Sequence, residues 1–142
     1  MIPHLRRATK SDIPALLEIE MASFPQPHWP AKDFLKFDTV VAVIDHRVAG
    51  FIVVREIFAA GKNEQSEREI LNLAIAPPFR RRGIATLLLR NELRSNAIYF
   101  LEVRESNSAA RKLYSLLGFV EVGRRKQYYR NPTETAIVMQ VK

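Results

Sequence analysis

The stretch Leu71–Thr86, LNLAIAPPFRRRGIAT, constrains this chain more than any other. It opens as an apolar run of Leu, Ile and Ala that suits a buried strand. Pro77 and Pro78 end the strand, because neither can donate to a sheet ladder. Arg80, Arg81, Arg82 and Gly83 follow, and TLLLRNEL then reads as a helix. A strand, a basic glycine turn and a helix start together make a good phosphate cradle. The first helical turn has unpaired N–H groups and the positive end of the dipole. Gly83 lets backbone approach a ligand closely, and the arginines add charge-assisted donors. Neither GxGxxG nor GxxxxGK[ST] occurs, which removes the two common nucleotide loops. The plain alternative is a strand–loop–helix with a solvated basic turn.

At 142 residues the chain fits one domain, 1–142, large enough to bury a core. No repeat, low-complexity tract or linker divides it. No apolar run approaches the roughly 18 residues of a membrane span, and the N-terminus lacks the apolar core of a signal peptide. Both point to the cytoplasm and away from a membrane. Cysteine is absent, which excludes disulfides, thiolate metal sites and a Cys nucleophile. The three histidines, His4, His28 and His46, are too scattered for a zinc site, so no metal is expected. The formal charge of +7 permits a polyphosphate ligand or nucleic acid without choosing between them.

The remaining elements follow from local pattern. Residues 4–8 suit a first strand, Thr9 with Asp12 a helix start, and the apolar spacing from Ile13 a helix to about residue 22. Phe24-Pro25-Gln26-Pro27-His28-Trp29-Pro30 breaks structure and serves either as a packed connector or as a ligand-facing loop. A short helix over Pro30 to Phe37 follows. Thr39 to Ile44 and Val48 to Phe58 read as a hairpin across Asp45-His46-Arg47. Residues 59–67 form a polar loop, left open as a lid. Arg68 to Ala76, Ala97 to Val103, Phe119 to Val122 and Glu134 to Val141 complete the strands. The alternation predicts an α/β (α+β) fold on one mixed sheet.

Three side chains stand out for chemistry. Glu102 ends an apolar run, IYFLEV, where a carboxylate is costly unless paired or at a cleft. It reads either as the partner of an arginine such as Arg104 or as a general base with a raised pKa. Asn107, beside Ser106, suits a helix N-cap. Tyr114, with Ala110, Leu113 and Leu117 at core spacing, reads as a core tyrosine or as a proton donor to a leaving thiolate.

Arg80-Arg81-Arg82-Gly83-Ile84-Ala85 resembles the (Arg/Gln)-x-x-Gly-x-(Gly/Ala) signature of the GNAT N-acetyltransferases. LEVRESNSAARKLYSLLGF at residues 101–119 and RRKQYYRNPTETAIVM at 124–139 resemble the ribosomal-protein-alanine N-acetyltransferases, the RimI type. The likeness covers most of the chain and is strongest from residue 71 onward.

The resemblance implies a mostly antiparallel sheet flanked by about four helices, with the fourth and fifth strands splayed to admit acetyl-CoA. It implies that backbone groups of Leu73, Ala74 and Ile75 pair with the pantetheine amides. Arg80, Arg81, Arg82, Gly83, Ile84, Ala85 and Thr86 would surround the pyrophosphate, and Asn107 would touch the cofactor. Glu102 matches the family's base and Tyr114 its acid. Phe24, Trp29, Tyr128 and Tyr129 match positions that shape the acceptor site.

The implied reaction moves acetyl from acetyl-CoA to a protein N-terminal α-amine, with a ribosomal protein as the family's acceptor. The implied enzyme is a monomer or weak dimer that binds no nucleic acid directly. Its alternatives are another amine acceptor (a lysine side chain, polyamine or small molecule) and a non-catalytic basic RNA- or ribosome-binding module. An α-amine is easier to deprotonate than lysine by about 3 kcal/mol. The chain departs from the family in a shorter segment between Gly83 and Glu102, which implies a shortened third helix. Glu69 and Glu121 are the main acids available near the site to attract a basic peptide.

Overall fold

The computed structural model describes residues 2–24, 29–58 and 65–142. Seven strands, β1 (His4–Arg7), β2 (Asp38–Ile44), β3 (Arg47–Phe58), β4 (Ser66–Ile75), β5 (Ala97–Arg104), β6 (Val120–Tyr129) and β7 (Glu134–Val141), form one mixed sheet in the order β1-β2-β3-β4-β5-β7-β6. Four α-helices, α1 (Ile13–Ser23), α2 (Asp33–Lys36), α3 (Ile84–Glu92) and α4 (Ser108–Leu116), connect them. The α/β sheet expected from the sequence is therefore present. No helix among the described residues is long and apolar enough to cross a membrane.

β4 and β5 run parallel, in register from Ser66↔Ala97 to Ile70↔Leu101. The β1–β2, β2–β3, β5–β7 and β6–β7 pairs are antiparallel. Contacts divide the chain into two compact units. One is Met1–Arg55 with Leu71–Arg94, and the other is Glu56–Ile70 with Ser95–Lys142. β4 thus gives its first half to one unit and its second half to the other.

In the first unit, Leu16 and Ile19 of α1 and Phe34 of α2 pack on Val41, Phe51, Val53 and Ala74 of the strands. The β2–β3 turn is tight because Asp45 and His46 both adopt positive φ, 49° and 64°, the backbone hand that matches the twist of a two-residue hairpin. Asp12, 5% exposed, anchors the entry to α1. Its carboxylate accepts from both terminal nitrogens of Arg6, at 2.7 and 2.9 Å, and from the Thr9 N–H at 2.7 Å.

Gly50 of β3 is pressed against β4. A Cβ there would lie 2.5 Å from Ile75 Cδ1 and 2.9 Å from the Ala74 carbonyl oxygen. α2, at Asp33–Lys36, is shorter than the helix read from Pro30 to Phe37.

In the second unit, α4 is capped at both ends. The Asn107 side chain accepts from Ala110 N–H at 3.2 Å. At the other end Gly118 (φ 98°) turns the chain, with Phe119 N–H reaching the Tyr114 carbonyl at 3.0 Å. β6 is longer than the Phe119 to Val122 read from the sequence, running to Tyr129. It lies at the sheet edge with most of its residues exposed, so no inward–outward alternation marks it.

Candidate active site

On β5 the residues Ala97, Tyr99, Leu101 and Val103 are buried, and Ile98, Phe100, Glu102 and Arg104 share the half-buried face. Glu102 is held there with its side chain 18% exposed. Its partner is Arg125 of β6, whose Nη1 lies 3.2 Å from each carboxylate oxygen. Burial raises the carboxyl above its ordinary value. The Arg125 charge opposes that rise, and the neighbouring Glu69 adds to it. A carboxyl raised in this way is a better proton acceptor than an ordinary exposed one.

Arg104, the partner expected for Glu102, is engaged elsewhere. Its Nη1 bonds Glu134 Oε1 at 3.2 Å and the Pro132 carbonyl at 2.9 Å, and its Nη2 bonds the Arg130 carbonyl at 2.9 Å. The same guanidinium sits 4.5 Å from the Tyr129 ring centroid, and Arg125 sits 4.1 Å from that of Tyr128. The two tyrosine rings meet edge to face at 5.2 Å. Gln127 and Asn131 hold positive φ at 53° and 55°, and the β6–β7 register shifts between Arg125 and Tyr129. Beyond this irregularity Tyr129 rejoins the ladder opposite Glu134.

Burial pushes the Tyr129 phenol well up, with Glu102, Tyr128 and Tyr114 adding and Arg104 opposing. Glu102, Tyr114, Tyr128 and Tyr129 are therefore one electrostatic neighbourhood. Tyr114 is 9% exposed and packs edge to face on Phe119, with centroids 5.6 Å apart. Burial pushes its phenol up to about 12.

The basic turn belongs to the first unit. Arg81 holds φ 64° and Gly83 φ 76°. A non-glycine residue in this region stores strain that the surrounding structure must hold. The first intrahelical bond of α3 runs from Leu87 N–H to the Gly83 carbonyl at 3.0 Å. The N–H groups of Ile84, Ala85 and Thr86 are thus the free donors of the first turn.

The three arginines do not act alike. Arg80 is tied to its own unit, with Nε on the Ile75 carbonyl at 3.0 Å and Nη2 on Ala22 O and Ser23 Oγ at 3.4 and 3.3 Å. Arg82 lies over Phe79, 5.5 Å from its centroid. All three arginines are exposed, and Arg80 differs in having its guanidinium bonded to Ile75, Ala22 and Ser23. Ala74 and Ile84 side chains are buried, leaving backbone as their contribution at the surface.

Phe24 and Trp29 pack against the core, Trp29 with centroids 5.5 Å from Phe34 and 6.0 Å from Phe37. Residues 25–28 and 59–64, which include most of the proline loop, His28 and most of the loop read as a lid, lie outside the described residues.

The sequence reading passed over Glu20, which is 1% exposed on α1. It accepts from Asn72 Nδ2 at 3.1 Å and from Trp29 N–H at 3.2 Å. Its signal was its place four residues after buried Leu16, on the apolar stripe of the helix. Arg125 was also passed over, and no local signal pairs it with Glu102.

A mixed sheet that follows its fourth strand with a basic turn and a helix start, and carries a half-buried carboxylate on its fifth, has the features expected of an acyltransferase of the coenzyme A-using kind. The acetyltransferase (GNAT) family matches residues 13–119, and the chain belongs to that family. The ribosomal protein bS18-alanine N-acetyltransferase of Salmonella typhimurium is 34% identical over 91% of this chain and 90% of its own length. An N-alpha-acetyltransferase of Saccharolobus solfataricus is 32% identical over 88% of this chain and 84% of its own. The crystal structure of the Escherichia coli ribosomal-protein-S18-alanine N-acetyltransferase matches with a TM-score of 0.82 and 28% identity, covering 99% of this chain and 93% of that one.

Proposed function

We propose that this chain transfers the acetyl group of acetyl-CoA to the N-terminal α-amine of a protein, a ribosomal protein being the acceptor its relatives favour. The observation that carries this reading is Glu102, a part-buried carboxylate whose burial raises its pKa and whose charge acts on the Tyr129 phenol.

The amine nitrogen attacks the thioester carbonyl carbon. An N–C bond forms, the C–S bond breaks, and Glu102 receives the ammonium proton directly or through water. Backbone groups of Leu73, Ala74 and Ile75 hold the pantetheine arm. The turn from Arg80 to Thr86 holds the pyrophosphate through Arg81, Arg82 and the α3 amides, with Arg80 bracing the turn against α1. Asn107 adds its contact with the cofactor from the start of α4, and Phe24, Trp29, Tyr128 and Tyr129 shape the acceptor side.

Tyr114 acts on the sulfur. With its phenol at about 12, full transfer to a thiolate of ordinary pKa about 8.5 is uphill by about 5 kcal/mol. Tyr114 therefore stabilises the leaving thiolate chiefly as a hydrogen-bond donor, and solvent completes its protonation. Most of the rate comes from positioning and oxyanion stabilisation. The enzyme works as one domain over 1–142, without a metal, in the cytoplasm, as a monomer or weak dimer.

Thiol release with acetyl-CoA and peptides beginning Ala-Arg tests the reading. Turnover on the free α-amine, lost when that amine is blocked, is the expected result. Turnover only on an internal lysine or a small amine would keep the family and remove the acceptor.

A further inference from the structure

Glu102 carries a cation in the resting protein. Arg125 Nη1 is equidistant from both carboxylate oxygens at 3.2 Å, where an incoming ammonium would also bind. Arg125 itself is loosely held. Its side chain is 56% exposed, while that of Glu102 is 18% exposed, and its guanidinium lies against the face of Tyr128 at 4.1 Å. The remaining charged neighbours are committed or acidic. Arg104 on β5 is tied to Glu134 of β7, and Glu69 of β4 carries a negative charge of its own. Tyr129 of β6, whose phenol feels the Glu102 charge, bears no positive charge.

We propose that Arg125 is a built-in occupant of the acceptor's cation site: it holds Glu102 until the α-ammonium of the acceptor replaces it, and it then lets go of the carboxylate while staying on the face of Tyr128, where it already rests. This rests on the α-amine reading above. The exchange swaps one charge-assisted pair for another, so binding costs little for an acceptor with further contacts. A simple amine that offers only its charge gains nothing over the resident guanidinium. Arg125 is a positioning and selectivity residue, acting through Glu102.

The test compares wild-type enzyme with Arg125→Gln and Arg125→Lys, using an Ala-Arg peptide and its des-amino analogue. An exposed pair of this kind corresponds to about a two- to fivefold change. Arg125→Gln should lower KM for the free-amine peptide by that factor and improve turnover of small amines. Binding of the des-amino peptide to the CoA complex should stay at the wild-type value. The acid limb of kcat/KM should move to higher pH in Arg125→Gln and stay near wild type in Arg125→Lys.

An unchanged or raised KM with an unmoved acid limb in Arg125→Gln would overturn the proposal while leaving the acetyltransferase reading intact. No α-amine turnover by the wild type would overturn the reading itself, and this proposal with it. Arg125 is exposed, so a matching melting temperature for the variants certifies the comparison.

Discussion

Arg104 lies two residues beyond Glu102 on the same strand face and gives its charge to Glu134, at 3.2 Å, rather than to Glu102. That allocation keeps the two functions of the strand apart. Arg104 ties the β5 end to the 130–134 turn through three bonds, and Glu102 is left with an exposed partner that can move.

Glu102→Gln should lower kcat/KM for an α-amine peptide by about 10² to 10⁴, the usual range for a lost general base, measured by thiol release. Its stability should show the opposite sign. The Glu102 pKa is raised in the folded protein, so this carboxyl favours folding below its ordinary value and loses that contribution as pH rises through the raised one. The melting temperature of Glu102→Gln should therefore match or exceed wild type at pH 8. A drop there would mean the carboxylate has a structural partner that outweighs its burial.

Tyr114→Phe should lower kcat by about 10- to 100-fold, within or below the span for one acid–base group, and keep the fold, because the ring contact with Phe119 survives. Since the phenol titrates at about 12, the basic limb of the pH profile belongs to another group. Tyr114→Phe and wild type should share the same limb below pH 10. A limb that disappears in the variant would show that the phenol ionises in the working range.

Gly83→Ala tests the turn. A Cβ at Gly83 meets nothing within 4 Å, so the substitution costs only the strain of φ 76°, about 1–2 kcal/mol. Weaker acetyl-CoA binding by calorimetry, beyond what that lost stability explains, is the expected outcome, because the new methyl stands where backbone meets phosphate. Undiminished affinity would mean the turn is a solvated loop.

Asp12→Asn tests the first unit. Hydrogen bonds from Arg6 chiefly, helped by Thr9, hold this carboxyl below its ordinary value. Its contribution is present above that value and lost as pH falls through the lowered one. Asp12→Asn should cost about 1.5–3 kcal/mol at pH 7 and flatten the loss of stability of the protein below pH 4. Denaturant melts at pH 7 and pH 3 that show the same difference would refute it.

The strand–turn–helix proposed to hold the cofactor was legible in sequence because it is local: β4, the prolines, the Arg-Gly turn and α3 are consecutive, and each stop signal is a property of one residue. Glu102 stood out for the same reason, as a charge ending an apolar run. Its partner did not. Register pairs β5 with β7 and β7 with β6, which brings Arg125 across from Glu102 over a sequence gap that no periodicity spans. β6 itself was truncated in the reading because an edge strand wetted on both sides has no alternating pattern, and Gly123-Arg124-Arg125-Lys126 looks like a turn. Glu20 was hidden differently. A lone acid on an apolar stripe reads as tolerance of a polar residue until the structure shows Asn72 and the Trp29 amide bonded to it.

Gly50 makes no contact with any group proposed to react, yet its missing side chain sets where β4 lies. With the Ala74 carbonyl only 2.9 Å from a would-be Cβ, β3 serves as a template against which Ala74 and Ile75 are laid down. A side chain at Gly50 would press on the strand whose backbone is proposed to receive the cofactor. A position with no reactive group of its own thus constrains where that backbone can lie.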